Sequence, residues 1–159
     1  MQRNPITPEG HARLDAEVKH AKRVLRPAVV KAIEEARAHG DLSENAEYDT
    51  AKDRQGLLEA RIVHLETTLA TAEIIDVTEM PVSDRVIFGT TVTLTNLQTD
   101  EEVKYRVVSD YEADVKKGLI SYASPLGRAV IGREVGEEVK LETPGGQREY
   151  EIVDVDYKV

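Results

Sequence analysis

Two rhythms of apolar residues divide the chain. In the first half, Leu14, Val18, Ala21, Leu25, Ala28 and Ala32 recur at alternating steps of four and three, with Val29, Ile33 and Ala36 as a neighbouring stripe. After Gly40 the rhythm resumes through Leu58, Ile62, Leu65, Leu69 and Ala72. A seam this narrow predicts helices packed along their length as a coiled coil. Thr7, Pro8 and Glu9 read as N-cap, first helical residue and first-turn acid, and His39-Gly40 as the stop. The second helix is expected to begin between Asp41 and Ser43 and to run to about Ile75. So few residues separate the two that they must fold back as an antiparallel hairpin. Pro27 lies inside the first helix and removes a backbone donor there, which predicts a kink or local shift near Arg26 rather than two separate helices. At roughly 1.5 Å per residue, about 31 residues make a rod of about 45 Å, whose far end has no core beneath it.

In the second half the period shortens to two. Thr91 to Thr95 and Val103 to Val107 alternate, with a polar connection from Asn96 to Glu101 suited to a hairpin. Val139 to Leu141 and Tyr150 to Val153 flank Thr143-Pro144-Gly145-Gly146, a strong turn signal. Ser124-Pro125 reads as the cap and first residue of a short helix closed by Gly132. The expected architecture is a two-domain α+β chain. An N-terminal antiparallel α-helical coiled-coil hairpin (residues 1–76) precedes a β-rich domain (residues 80–159), a small antiparallel sheet with one short helix.

Composition narrows the function classes. The chain has 159 residues, 30 acidic and 21 basic, for a net charge of −9. That balance argues against an independent nucleic-acid binder, which normally carries a basic domain. The absence of Cys excludes a disulfide scaffold, a thiolate zinc site and a Cys nucleophile. No apolar run is long enough to span a membrane and the start lacks a signal peptide, so a cytoplasmic protein is expected. Six of the seven aromatic residues lie in the second half, in keeping with its strand-forming composition.

The chemistry concentrates at the hairpin turn, Gly40-Asp41-Leu42-Ser43-Glu44-Asn45-Ala46-Glu47-Tyr48. Asp41 and Glu44 are three residues apart and can share one face at a helix start. Two readings compete. In one they form a capping box, Asp41 as N-cap and Glu44 at N3. In the other Ser43 caps instead, and the carboxylates stay free to bind a hard cation such as Mg²⁺, completing a half-built site in a partner's active centre. Leu42 has little local surface to cover, which suits insertion of the tip into a partner. Tyr48 either braces the tip or belongs to the core. The four histidines are scattered, and His39 with Asp41 and Glu44 makes a poor zinc site.

The run from Ala36 to Tyr48 closely resembles the tip segment of the Gre family of bacterial transcript cleavage factors, in its GreA branch. The similarity continues through Ala51-Lys52, Gln55-Gly56, Glu59 to Ile62 and, upstream, Arg26-Pro27. In the second half Ile120-Ser121, Ser124-Pro125-Leu126, Ile131-Gly132 and Thr143 to Gly146 recur. The resemblance implies a C-terminal domain of FKBP-like fold that docks at the rim of the secondary channel of RNA polymerase, and a hairpin that enters the channel. It implies an elongation factor, not an enzyme by itself, that stimulates the polymerase's own cleavage of extruded RNA 3′ ends in backtracked complexes. On this match Asp41 and Glu44 help hold a shared Mg²⁺, no cofactor being bound by the factor alone. Arg37 and Lys52, with Arg54 nearby, contact the extruded RNA, and Ser121, Ser124 and Pro125 belong to the docking surface. Ala123 stands where relatives often carry a polar or acidic residue. DNA is met only through the elongation complex. The alternatives within the family are a GreB-type sister factor, which has a more extensive basic patch, and a channel-binding paralogue that inhibits without stimulating cleavage. A prolyl isomerase is disfavoured, since one Phe and no Trp poorly supply an aromatic proline pocket.

Overall fold

The computed structural model describes residues 3–39 and 45–159. Contacts group these into two compact units, His11–Ala72 and, separately, Arg3–Gly10 with Glu73–Val159. The cut differs from a division at residues 76 to 80, because residues 3–10 fold with the second unit.

The first unit is the helical hairpin. Helix α1 (Pro8–His20) runs into a π-helical turn, Ala21–Leu25, and on into α2 (Arg26–Arg37). Thr7 caps α1 as expected: its hydroxyl accepts the Gly10 N–H at 3.0 Å. The π turn is the local shift that Pro27 predicts. Proline has no N–H for the Arg23 carbonyl and its ring crowds that oxygen, so the preceding turn widens. The extra residue rotates the downstream face. Leu14 and Val18 are buried before it, Ala21 at its first residue, and Val29, Ile33 and Ala36 after it. Leu25 and Ala28, expected in the seam, are exposed, because the seam passes instead through Arg26 and Val29.

Helix α3 (Ala46–Thr71) returns antiparallel. It begins later and ends earlier than the sequence pattern suggests. Its cap is Asn45, and Ala72–Ile74 leave it as strand β2, pairing with β1 (Asn4–Ile6). Ala51, Ile62 and Leu65 are buried on its inner face. Lys22 meets Glu66 at 2.7 Å, and the Arg26 guanidinium grips Glu59 with two bonds of 2.8 Å. This planar two-point pairing fixes geometry as well as charge.

The second unit is β-rich. Its five-stranded sheet runs β5-β4-β3-β7-β6, where β3 is Thr91–Asn96, β4 Glu102–Val108, β5 Leu119–Ser121, β6 Glu138–Thr143 and β7 Gly146–Asp156. Both expected hairpins form, β3–β4 and β6–β7. Gly146 turns the second at φ 117°, a conformation that glycine adopts without strain. The sheet is not wholly antiparallel, as β5 joins β4 in parallel. The register between β3 and β7 slips at Thr93/Leu94, leaving Val153 unpaired as a bulge. The bulge shifts the inward phase of β7, so that Tyr150, Ile152, Val155 and Tyr157 all reach one core with Val92, Leu94 and Val107.

Glu112 was invisible in the sequence pattern. Its carboxylate is buried and accepts the Thr7 hydroxyl, the Thr7 N–H at 3.3 Å, and the Ser109 N–H and hydroxyl at 3.2 and 2.8 Å. It thereby holds residues 3–10 in the second unit. Gly10 permits this, since a Cβ there would lie 2.1 Å from the Glu112 carboxylate.

Candidate functional site at the hairpin end

Asp41, Leu42, Ser43 and Glu44 lie outside the described residues, so their geometry rests on the sequence. The frame around them is described. Helix α2 ends at Arg37 and α3 begins at Ala46. The Asn45 side-chain oxygen accepts the Tyr48 N–H at 3.1 Å, and its amide nitrogen donates to the Ala36 carbonyl across the hairpin at 2.6 Å. A cap of α3 at Asp41 or Ser43 is thereby corrected. Asp41 and Ser43, two earlier residues of capping type, compete with Asn45 in the sequence. Tyr48 belongs to the core, packing against Val29, Ile33 and Ala51.

Two shallow grooves flank this end of the hairpin. One, of about 230 Å³, is lined by Val30, Ile33, Glu34, Arg37, Tyr48, Lys52 and Gln55. The structure thus brings Arg37 and Lys52 from opposite helices to one groove, where Lys52 also donates to Gln55 at 3.1 Å. Arg54 lines the other groove, of about 420 Å³, with His39 and Glu47. His39 sits 3.4 Å from Glu47. Among the described residues neither Arg37 nor Lys52 enters an ion pair, whereas Lys19, Lys22 and Arg26 are paired with Asp15, Glu66 and Glu59. Lys22 and Arg26 therefore brace the hairpin from one helix to the other, while Arg37 and Lys52 face a groove. The hydrogen bonds from Arg26, with its charge, hold the Glu59 carboxyl below the usual glutamate range. Among the described residues no group of three acids and histidines is placed to hold a metal ion.

In the second unit, Ser121, Ser124 and Pro125 cluster around the start of helix α4 (Pro125–Val130). Ser124 is its cap: the hydroxyl accepts the Gly127 N–H at 3.1 Å and donates to the Ser121 carbonyl at 2.7 Å. Ser121 is buried, and its hydroxyl donates to Asp110 and accepts the Ala123 N–H at 3.0 Å. Of the three, Pro125 alone is exposed.

Comparison with known proteins matches the chain in two parts. A family model described as transcription elongation factor, N-terminal, matches residues 4–74. A second, transcription elongation factor, GreA/GreB, C-term, matches residues 81–157. The chain belongs to the GreA/GreB family of transcription elongation factors. Proteins named transcription elongation factor GreA are similar over nearly the whole chain. That of Pseudomonas aeruginosa is 54% identical over 155 residues, 98% of each chain. That of Caulobacter vibrioides is 52% identical over 157 residues, 99% of each. Among solved structures, the GreA factor homolog 1 protein of Thermus thermophilus is 29% identical, covering 97% of this chain and 99% of that one, with a TM-score of 0.44. Among the described residues no helix is long and apolar enough to cross a membrane.

Proposed function

We propose that this Gre-family chain binds RNA polymerase, inserts its helical hairpin into the secondary channel, and stimulates cleavage of the extruded 3′ end of backtracked RNA. The observation that carries this reading is the acidic tip. Asp41 and Glu44 fall in the segment between the two helices, and the cap of α3 is Asn45. Carboxylate oxygens suit Mg²⁺, and two of them are too few to hold it without further ligands, which fits an ion shared with a partner. When bound there, such an ion stabilises negative charge on the reacting oxygens. Asp41 and Glu44 would supply the ligands, Arg37 and Lys52 would hold the RNA backbone in their common groove, and the exposed surface at Pro125 would dock.

A stalled, backtracked polymerase with labelled RNA tests this. The chain is expected to accelerate cleavage, and Asp41→Asn and Glu44→Gln to abolish the acceleration while still competing with unmodified protein for polymerase. Cleavage preserved in both variants defeats the assignment. Slower nucleotide addition without cleavage would instead make the chain an inhibitory member of the family.

A further inference from the structure

We propose that Asn45 is a positioning residue for the acidic tip, one side chain fixing both ends of the segment that carries Asp41 and Glu44; this rests on the cleavage reading above. A helix leaves its first amides and last carbonyls without intrahelical partners. At the close of the hairpin these two sets face each other, and Asn45 serves one member of each. Its oxygen accepts the Tyr48 N–H of α3, and its nitrogen donates to the Ala36 carbonyl of α2. The same carbonyl accepts the His39 N–H at 3.3 Å, so the exit from α2 and the entry to α3 meet on a single oxygen.

The chemistry of the side chain makes the assignment specific. Asn, Asp, Ser and Thr all cap helices, since each offers an acceptor. An ionised Asp has no donor and would set a negative oxygen against the Ala36 carbonyl. Ser has a donor but a shorter reach than the amide that spans to the opposite helix. The choice of Asn is thus explained by the bond across the hairpin rather than by capping alone. Carboxylates that complete another molecule's reaction centre must be placed to a fraction of an ångström, and the anchors of a short connecting segment limit where its side chains can go.

The test uses Asn45→Asp and Asn45→Ser in the full chain, both of which keep a capping acceptor. Circular dichroism is expected to show unchanged helix content. In the cleavage assay the factor concentration giving half-maximal stimulation should hold. The plateau rate should fall between about tenfold and a hundredfold, the scale of a misplacement of about 1 Å. The Mg²⁺ concentration for half-maximal cleavage should rise in both variants. A plateau equal to that of the unmodified chain in either variant overturns the proposal and leaves Asn45 a helix cap. So does an effect confined to half-saturation. Amide exchange in the free protein reads the bond without polymerase. The Tyr48 amide should stay as protected as before, while the end of α2 at Ala38 and His39 exchanges faster. Unchanged exchange there removes the bond across the hairpin. If the unmodified chain fails to stimulate cleavage, the functional reading falls and exchange alone decides the tie.

Discussion

Single atoms decide several positions in this chain. At Gly127 a methyl group would come within 2.1 Å of the Ser121 carbonyl oxygen. Alanine is worth about 1 kcal/mol over glycine in a helix, so intrinsic propensity would favour Gly127→Ala. The collision with backbone reverses the sign, and a loss of about 1–3 kcal/mol is expected in chemical denaturation. A stabilised variant would show that α4 can move away. Glu112→Ala should cost more, about 3–5 kcal/mol, since it strands the buried polar groups of Thr7 and Ser109 together. The two sites differed in legibility. Ser124-Pro125 announces a cap because capping is a local transaction between neighbours. Glu112 is legible only in part: Ser109, three residues before it, is a local partner, but Thr7 lies 105 residues away.

Among the elements, two single-residue insertions, one helical and one in a strand, explain where periodicity misled. The seam of α1 carries on into α2 only if one residue in Ala21–Leu25 is not counted. Without it, Arg26, Val29, Ile33 and Ala36 continue the steps of four and three from Ala21. Deleting Val24 together with Pro27→Ala should therefore leave a regular helix with its seam intact. Its melting temperature should stay within a few degrees, whereas deleting Ala32 should unfold the hairpin. Equal damage from both deletions would refute the phase argument. The Arg26–Glu59 pair sits at the same point. The carboxyl titrates below its unfolded value, so its stabilising contribution is complete above about pH 4.3, the ordinary glutamate value, and fades as pH falls through the lower folded value. Following hairpin unfolding in acid by the signal of Tyr48, Glu59→Gln should flatten that decline. A decline of the same steepness in the variant would assign it to other carboxylates.

At the scale of the whole molecule, chain order and compact units part company. Residues 3–10 precede the hairpin in sequence yet fold with the second unit, through β1, through the Ile75 N–H given to the Ile6 carbonyl at 2.9 Å, and through Thr7. Removing residues 1–7 should therefore destabilise a β-rich unit that begins some seventy residues later in the chain. Each kcal/mol lost should lower its melting temperature by roughly 4–8 °C, read from its tyrosines, while the helical signal falls only by the fraying of α1 where Thr7 capped it. A β-unit indifferent to the truncation would mean that Glu112 finds other partners. The net charge of −9 makes the local arrangement of Arg37 and Lys52 matter all the more, because no overall basic field draws RNA to the chain.

By itself the sequence determined that a helical hairpin leads into a β-rich unit, where α1 and α4 begin, that Pro27 disturbs its helix, and that the acids cluster between the helices. Each of these depends on neighbours within a turn or two, where spacing and side-chain type suffice. Only the tertiary structure decided which apolar stripe is buried beyond Leu25, that Asn45 and not an earlier residue caps α3, that β5 runs parallel to β4, and that a buried glutamate holds residues 3–10. Those outcomes come from contacts between distant segments, and a shift of one residue in phase costs little locally while exchanging which side chains meet.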